Sequence, residues 1–285
     1  MSDEPPTGRR ILVADDDAAI RHGISRLLEN AGFEVSEAAD GLAALNAIQE
    51  KPFDLVFLDI WMPQLSGLDV LARIRTGTNR PKVIVTTSDG TSETLLRAVK
   101  EQAYDYLSKP FPPRKAVEAA QRALSADQVP PIEVLSARPH WVELLSPCTH
   151  EAAKRIETFM MKLEAELPNE ERESIASCFG ELLTNAVEWG GQLDPNRKVR
   201  VAYVRSPRML MFRIADPGPG FSFEKLSHAA VGQPESDPTA HMSIREERGI
   251  RPGGFGIMMT KAGADELLYN EAQNEVMFVK YFDNA

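Results

Sequence analysis

Between Arg10 and Ser125, short apolar runs alternate with amphipathic stretches five times over. The runs are Ile11-Leu12-Val13-Ala14, Phe33-Glu34-Val35-Ser36, Leu55-Val56-Phe57-Leu58, Val83-Ile84-Val85-Thr86 and Tyr104-Asp105-Tyr106-Leu107. Runs this short, rich in β-branched and large apolar side chains, suit buried strands of a parallel sheet. The stretches between them are helical in period: across Ala18–Asn30, Ile20, Ile24, Leu27 and Leu28 recur on one face, and Gly32 follows the end. The alternation predicts a doubly wound α/β domain over residues 9–125, with a five-stranded parallel sheet and its active edge at the carboxyl ends of the strands.

The rhythm then breaks. Ala126-Asp127-Gln128-Val129-Pro130-Pro131 cannot continue a helix, so residues 126–137 read as a linker and 138–285 as a second domain. There the pattern predicts a strand at Trp141–Leu145, helices at Glu151–Glu166 and Glu170–Glu188, and strands at Val199–Val204 and Leu210–Ile214. A polar loop follows from Phe221 to Pro252, then a helix after Gly254 and strands at Glu266–Tyr269 and Val276–Tyr281. Helices and antiparallel strands grouped in this way predict an α+β two-layer sandwich.

Composition narrows the function classes. The 285 residues carry a net charge of −10, with acidic residues in excess on both sides of position 130, which argues against a nucleic-acid clamp or an anionic-membrane binder. Two cysteines, Cys148 and Cys178, cannot build a disulfide framework or a four-ligand zinc site. No apolar run reaches the roughly 20 residues of a membrane span. The N-terminus is polar and acidic, and the expected location is cytoplasmic.

Two constellations carry chemistry. Asp15, Asp16 and Asp17 directly follow the first strand and Asp59 the third, so neighbouring parallel strands would bring these carboxylates to one sheet edge, suited to Mg²⁺. Thr86 closes the fourth strand and Lys109 follows the fifth, adding a hydroxyl and a cation. Such a set meets the needs of phosphoryl transfer to a carboxylate. The strings Ile11 to Asp17, Leu58-Asp59-Ile60-Trp61-Met62-Pro63 with Ser66-Gly67, Val85-Thr86-Thr87 and Tyr106-Leu107-Ser108-Lys109-Pro110-Phe111 resemble a response-regulator receiver domain. The resemblance implies Asp59 as phospho-acceptor, with Mg²⁺ held by Asp15, Asp16, Asp59 and the Trp61 carbonyl. It further implies Thr86 and Lys109 on the phosphoryl group, a cis Lys109–Pro110 bond, and Tyr106 as an aromatic switch moving inward as Thr86 is drawn to the phosphate. A receiver kept only as a docking scaffold usually loses the acceptor or the lysine, whereas here every position stands.

No Walker string is present. Instead Glu181 and Asn185, spaced i,i+4, share a helix face. Asp216-Pro217-Gly218-Pro219-Gly220 offers a carboxylate in a glycine turn, and Gly253-Gly254-Phe255-Gly256 opens a helix where backbone amides favour phosphate. In this order the three pieces resemble the Bergerat-type (GHKL) ATPase domain and, more closely, the anti-sigma-factor serine kinases. That resemblance implies that Asp216 accepts from the adenine amine, Gly218 and Gly220 line the base pocket, Asn185 holds Mg²⁺, and Gly254 and Gly256 cradle the phosphates of ATP. Glu181 would be the general base, and Ser222–Pro252 a lid offering Arg245, Arg248 and, foremost, Arg251 to the γ-phosphate. Trp189 stands where many relatives carry His, and Asn274-Glu275-Val276-Met277 lacks their Gly-Thr pair.

The expected partners are an upstream histidine kinase or phosphotransfer protein, an anti-sigma-factor antagonist as serine substrate, and a sigma factor; a homodimer is left open. Two rival readings stand beside this one. The first is a non-catalytic ATP-binding partner-switching module. The second is a hybrid histidine autokinase, suggested by Thr149-His150-Glu151 but without a basic-x-Pro continuation and with only about thirty residues before Glu181.

Overall fold

The computed structural model describes residues 8–75, 80–112, 114–125, 130–220 and 256–282. The chain divides into two units between Gln128 and Val129. Among the described residues no helix is long and apolar enough to cross a membrane.

The first unit contains strands β1 (Arg10–Ala14), β2 (Glu34–Ala38), β3 (Leu55–Asp59), β4 (Lys82–Thr87) and β5 (Asp105–Ser108). They alternate with helices α1 (Ala18–Asn30), α2 (Gly41–Glu50), α3 (Gly67–Ile74), α4 (Ser92–Lys100) and α5 (Arg114–Ser125). All strands run parallel in the order β2-β1-β3-β4-β5. The runs of β1, β3 and β4 are buried on both faces, as continuous strands between two helix layers must be, while the edge strands β2 and β5 are only partly buried. Ile11, Val13, Leu55, Phe57 and Ile84 pack with Ile24 and Leu28 of α1 and with Ala116, Ala119, Ala120 and Ala123 of α5. The alanine stripe lets α5 lie close to the sheet. Strand order reverses direction between β1 and β3, and the crevice at that switch point lies above the carboxyl ends of these two strands.

The second unit is a six-stranded antiparallel sheet of order β10-β11-β9-β8-β7-β6. Its strands are β6 (Glu133–Arg138), β7 (Trp141–Pro147), β8 (Lys198–Ser206), β9 (Met209–Ala215), β10 (Glu266–Tyr269) and β11 (Glu275–Tyr281). Its helices are α6 (His150–Leu163), α7 (Asn169–Asn185) and α8 (Gly256–Gly263). Alternate residues of the strands, including Val142, Leu144, Val201, Tyr203, Leu210, Phe212, Ile214 and Phe278, are buried. Phe212 anchors this layer, with the Phe179 ring of α7 at 4.3 Å and the Tyr203 and Phe278 rings at 5.6 and 6.3 Å. The α+β two-layer expectation is met.

Two local features depart from the sequence reading. Residues 133–137, assigned by composition to the linker, form β6 together with Arg138, joined to β7 by the two-residue turn Pro139-His140 and carrying a bulge between Val134 and Ser136. Its residues are half-buried or exposed, so it shows no apolar run of the kind that marks a strand. The helix expected to run to Glu188 ends at Asn185 and continues as one π turn, Ala186–Gly190. Widened turns of this sort are set by tertiary contacts and are frequent beside functional sites.

Candidate functional site

The β3–β4 register places Asp59 opposite Thr86, and the β1–β3 pairing sets Ala14 beside Leu58, so Asp15 emerges next to Asp59. Asp15, Asp59 and Thr86 are buried; Asp16 is exposed. One carboxylate oxygen from each of Asp15, Asp16 and Asp59 lies within 4.8 Å of the others. Lys109 Nζ bridges the two buried acids, donating to Asp15 Oδ2 and Asp59 Oδ1 at 2.7 Å each. The remaining oxygens are held by backbone: Asp15 Oδ1 accepts from Asp17 N–H at 3.0 Å, and Asp59 Oδ2 from Trp61 N–H at 3.0 Å. Asp17 itself caps α1, accepting from the N–H groups of Ala19 and Ile20, and so is a structural member of the acidic triplet.

Burial pushes the Asp59 carboxyl above its ordinary pKa; Lys109 pulls it back, and the charges of Asp15 and Asp16 push it up again. Burial also works to lower the pKa of Lys109, but hydrogen bonds to Asp15 and Asp59 outweigh it, holding the ammonium above its usual value. Three convergent carboxylates balanced by one cation fit a hard divalent ion with oxygen ligands, so the residues suit Mg²⁺. The Lys109–Pro110 peptide is cis, as the resemblance implied. Tyr106 is buried, its hydroxyl donating to the Asp89 carbonyl at 2.8 Å in the loop after β4, while the Trp61 side chain is 57% exposed.

Sequence reasoning missed Arg21. Its guanidinium donates to the Asp15 carbonyl at 2.7 Å and is itself held by Glu37, which fastens the acidic turn to β2. A basic residue one helical turn beyond a cap was the available signal. Lys109→Met keeps the aliphatic stem and removes the charge, leaving Asp15 and Asp59 facing each other. Phosphorylation from acetyl phosphate is expected to slow on the order of 100-fold. Mg²⁺ affinity is expected to stay level or rise; an unchanged rate in this variant would remove Lys109 from the phosphoryl site.

In the second unit, Glu181 and Asn185 lie on one face of α7, both half-buried. Gly256, the first residue of α8, abuts Glu181 so closely that a Cβ there would sit 2.1 Å from Glu181 Cγ. Asp216 follows β9 and accepts from Gly218 N–H at 2.7 Å through Oδ1. Burial raises its pKa against that hydrogen bond and the nearby charge of Arg197. The π turn brings Gly190 against it: a Cβ on Gly190 would lie 2.1 Å from Asp216 Cγ. Gly220, at φ +84°, passes over the Ala272 carbonyl, where a Cβ would come within 1.6 Å, so this position needs glycine both for its conformation and for the close approach. Asp216 is thus a half-buried acceptor flanked by glycines, chemically suited to a ligand that donates an N–H. Gly254, Arg251, Arg245 and Arg248 and the segment Ser222–Pro252 lie outside the described residues. Asp216, Gly218, Gly220, Glu181 and Asn185 therefore have a described setting, and most of the residues expected at the phosphates do not.

His150 is the first residue of α6, which Thr149 caps through Ala152 N–H, and its imidazole lies 3.6 Å from Glu188. Cys148 and Cys178 are free and buried, and burial pushes the Cys148 thiol up to about 11.

The parallel β2-β1-β3-β4-β5 sheet thus carries an acid pocket closed by a lysine. Two known domain families match parts of the chain. Residues 11–121 match the response regulator receiver domain, and residues 147–280 match the histidine kinase-like ATPase domain. The chain is 34% identical over 116 residues to the chemotaxis protein CheY of Thermotoga maritima, covering 40% of this chain and 97% of that one. It is 35% identical over 128 residues to the DNA-binding response regulator MtrA of Mycolicibacterium paratuberculosis, 45% of this chain and 56% of the relative. The alignment thus spans about half the length of the MtrA relative. A CheY-like receiver structure from Methanospirillum hungatei aligns over 42% of this chain and 95% of its own at 30% identity, with a TM-score of 0.41. The chain belongs to the response regulator receiver family and carries a histidine kinase-like ATPase domain behind the receiver.

Proposed function

We propose that the chain is a two-component response regulator whose phosphorylation at Asp59 controls an ATP-dependent serine/threonine kinase of the anti-sigma type acting in partner switching. An upstream histidine kinase or phosphotransfer protein supplies the phosphoryl group: an Asp59 oxygen attacks phosphorus, the bond to the donor breaks, and Lys109 and Thr86 hold the product. Mg²⁺ held by Asp15, Asp16, Asp59 and the Trp61 carbonyl would neutralise charge on the phosphoryl oxygens. In the second domain Asp216 orients ATP, Asn185 serves its metal, and Glu181 takes the proton of a serine hydroxyl on a small antagonist protein. A sigma factor is a second candidate partner.

One observation carries the choice of kinase class. α6 begins at His150, packs on α7, and is followed within a few residues by the Glu181 helix, which leaves no segment for a histidine-bearing dimerisation hairpin. The non-catalytic module remains the specific rival, favoured by Trp189 and Asn274 at the two positions that depart from the kinase pattern. Incubation of the full chain with labelled ATP, Mg²⁺ and the candidate antagonist separates the readings. The kinase reading expects acid-stable label on the antagonist, lost in Glu181→Ala. Acid-labile label on the chain's own histidine would replace it with an autokinase. ATP binding without transfer in either receiver state would leave the binding module.

A further inference from the structure

The turn Asp216-Pro217-Gly218 is gripped from two sides, by Arg197 and by Asn274. On one side Arg197 Nη2 donates to the Pro217 carbonyl at 2.6 Å. On the other, Asn274 Nδ2 donates to the Gly218 carbonyl at 3.0 Å, while the Asn274 carbonyl accepts from Asp216 N–H at 2.9 Å. Asn274 is itself oriented: Asn270 Nδ2 donates to its Oδ1 at 2.8 Å, which leaves its amide nitrogen for Gly218. The Asp216 carboxylate is thereby fixed in rotation, with Oδ1 committed to Gly218 N–H and, among the described residues, no hydrogen bond on Oδ2.

We infer that Arg197 and Asn274 are positioning residues for Asp216, and that the orientation they impose sets a preference for an amino purine over an oxo purine. This rests on the reading of the second unit as an ATP site. A carboxylate oxygen accepts and cannot donate, so, held against the 6-position of the purine, it rewards the 6-amine of adenine and repels the 6-carbonyl of guanine. Discrimination depends on that oxygen holding its direction. If the turn swivels, Oδ2 reaches neither ligand well and the two purines bind alike.

The test is calorimetric titration of the full chain with ATP and with GTP, in wild type, Arg197→Met and Asn274→Ala. The wild type is expected to favour ATP by at least about 10-fold. In both variants ATP should bind roughly 5- to 20-fold more weakly while GTP moves less than about twofold, so that the ratio collapses. Asn270→Ala, at an exposed position, removes the amide that orients Asn274 together with the oxygen that accepts from the Asn274 and Glu275 N–H groups, and gives the same direction of change if Asn274→Ala fails to fold. An unchanged ratio in these variants, or equal weakening toward both nucleotides, overturns the inference and assigns the contacts to stability alone. A wild type that binds no ATP overturns instead the reading on which it rests.

Discussion

Asp59→Asn is expected to lose all Mg²⁺-dependent, acid-labile labelling from acetyl phosphate, and to keep or raise the melting temperature measured without Mg²⁺. An amide oxygen can still accept from Trp61 N–H, and Lys109 keeps its bond to Asp15, so of these contacts only the Lys109–Asp59 hydrogen bond is lost. What disappears is the proposed nucleophilic oxygen and one of three convergent negative charges, one whose ionisation burial opposes. Removing it is worth up to about 1 kcal/mol of stability, in the way functional sites commonly trade stability for chemistry. In Mg²⁺ the order reverses: the wild type gains stability from the bound ion by mass action and the variant gains less. Acid-labile label persisting on Asp59→Asn would transfer the acceptor role to another residue.

Gly67→Ala should destabilise the first unit by about 2–4 kcal/mol and slow phosphorylation of Asp59. Gly67 is the first residue of α3, and its N–H donates to the Ile60 carbonyl at 2.9 Å. A Cβ there would meet the Asp59 carbonyl oxygen at 2.0 Å and its carbon at 2.9 Å. Both are backbone atoms, so relief requires moving either the end of β3 or the start of α3. Moving β3 displaces the phospho-acceptor; moving α3 disturbs the Ser66 cap and the buried Leu68 and Leu71 behind it. Gly23, on the open side of α1 with nothing within 4 Å of an added methyl, is the matched control. Gly23→Ala should stabilise by roughly 0.5–1 kcal/mol through the unfolded chain. Urea melts of both variants decide the matter, and a Gly67→Ala midpoint equal to wild type would remove the steric argument.

The parts of the molecule that were legible in sequence share a physical property: each is local. Carboxylates at strand ends, a glycine turn after a strand and an i,i+4 pair on a helix are written within a few residues, so Asp15, Asp59, Glu181 and Asp216 could be singled out before their neighbours were known. The remainder depends on distant partners. Arg197 and Asn274 meet the Asp216 turn across sequence gaps that no periodicity spans. The π turn after Asn185 follows from the packing of Gly190 against Asp216 and of Gly191 against Cys148, where a Cβ would lie 2.2 Å from Sγ. Propensity along α7 contains no such information. β6 was hidden because an edge strand, half in water, has no need of the alternating or continuous apolar pattern by which strands are recognised.

That edge strand has a mechanical consequence. β6 is held along one side only, by β7, and its pairing is already interrupted by the bulge at Val134–Ser136. The chain arriving from Pro130 and Pro131 runs directly into it. A pull on this end would peel a hairpin one bond pair at a time, where a pull on β8 or β9 would have to shear two ladders at once. β7, the strand such peeling would next reach, ends at Pro147, one residue before Cys148 and three before α6. The compliant end of the ATPase sheet is thus the end at which the receiver is tethered, and strain entering there has a short covalent path to the floor beneath Gly191 and the π turn.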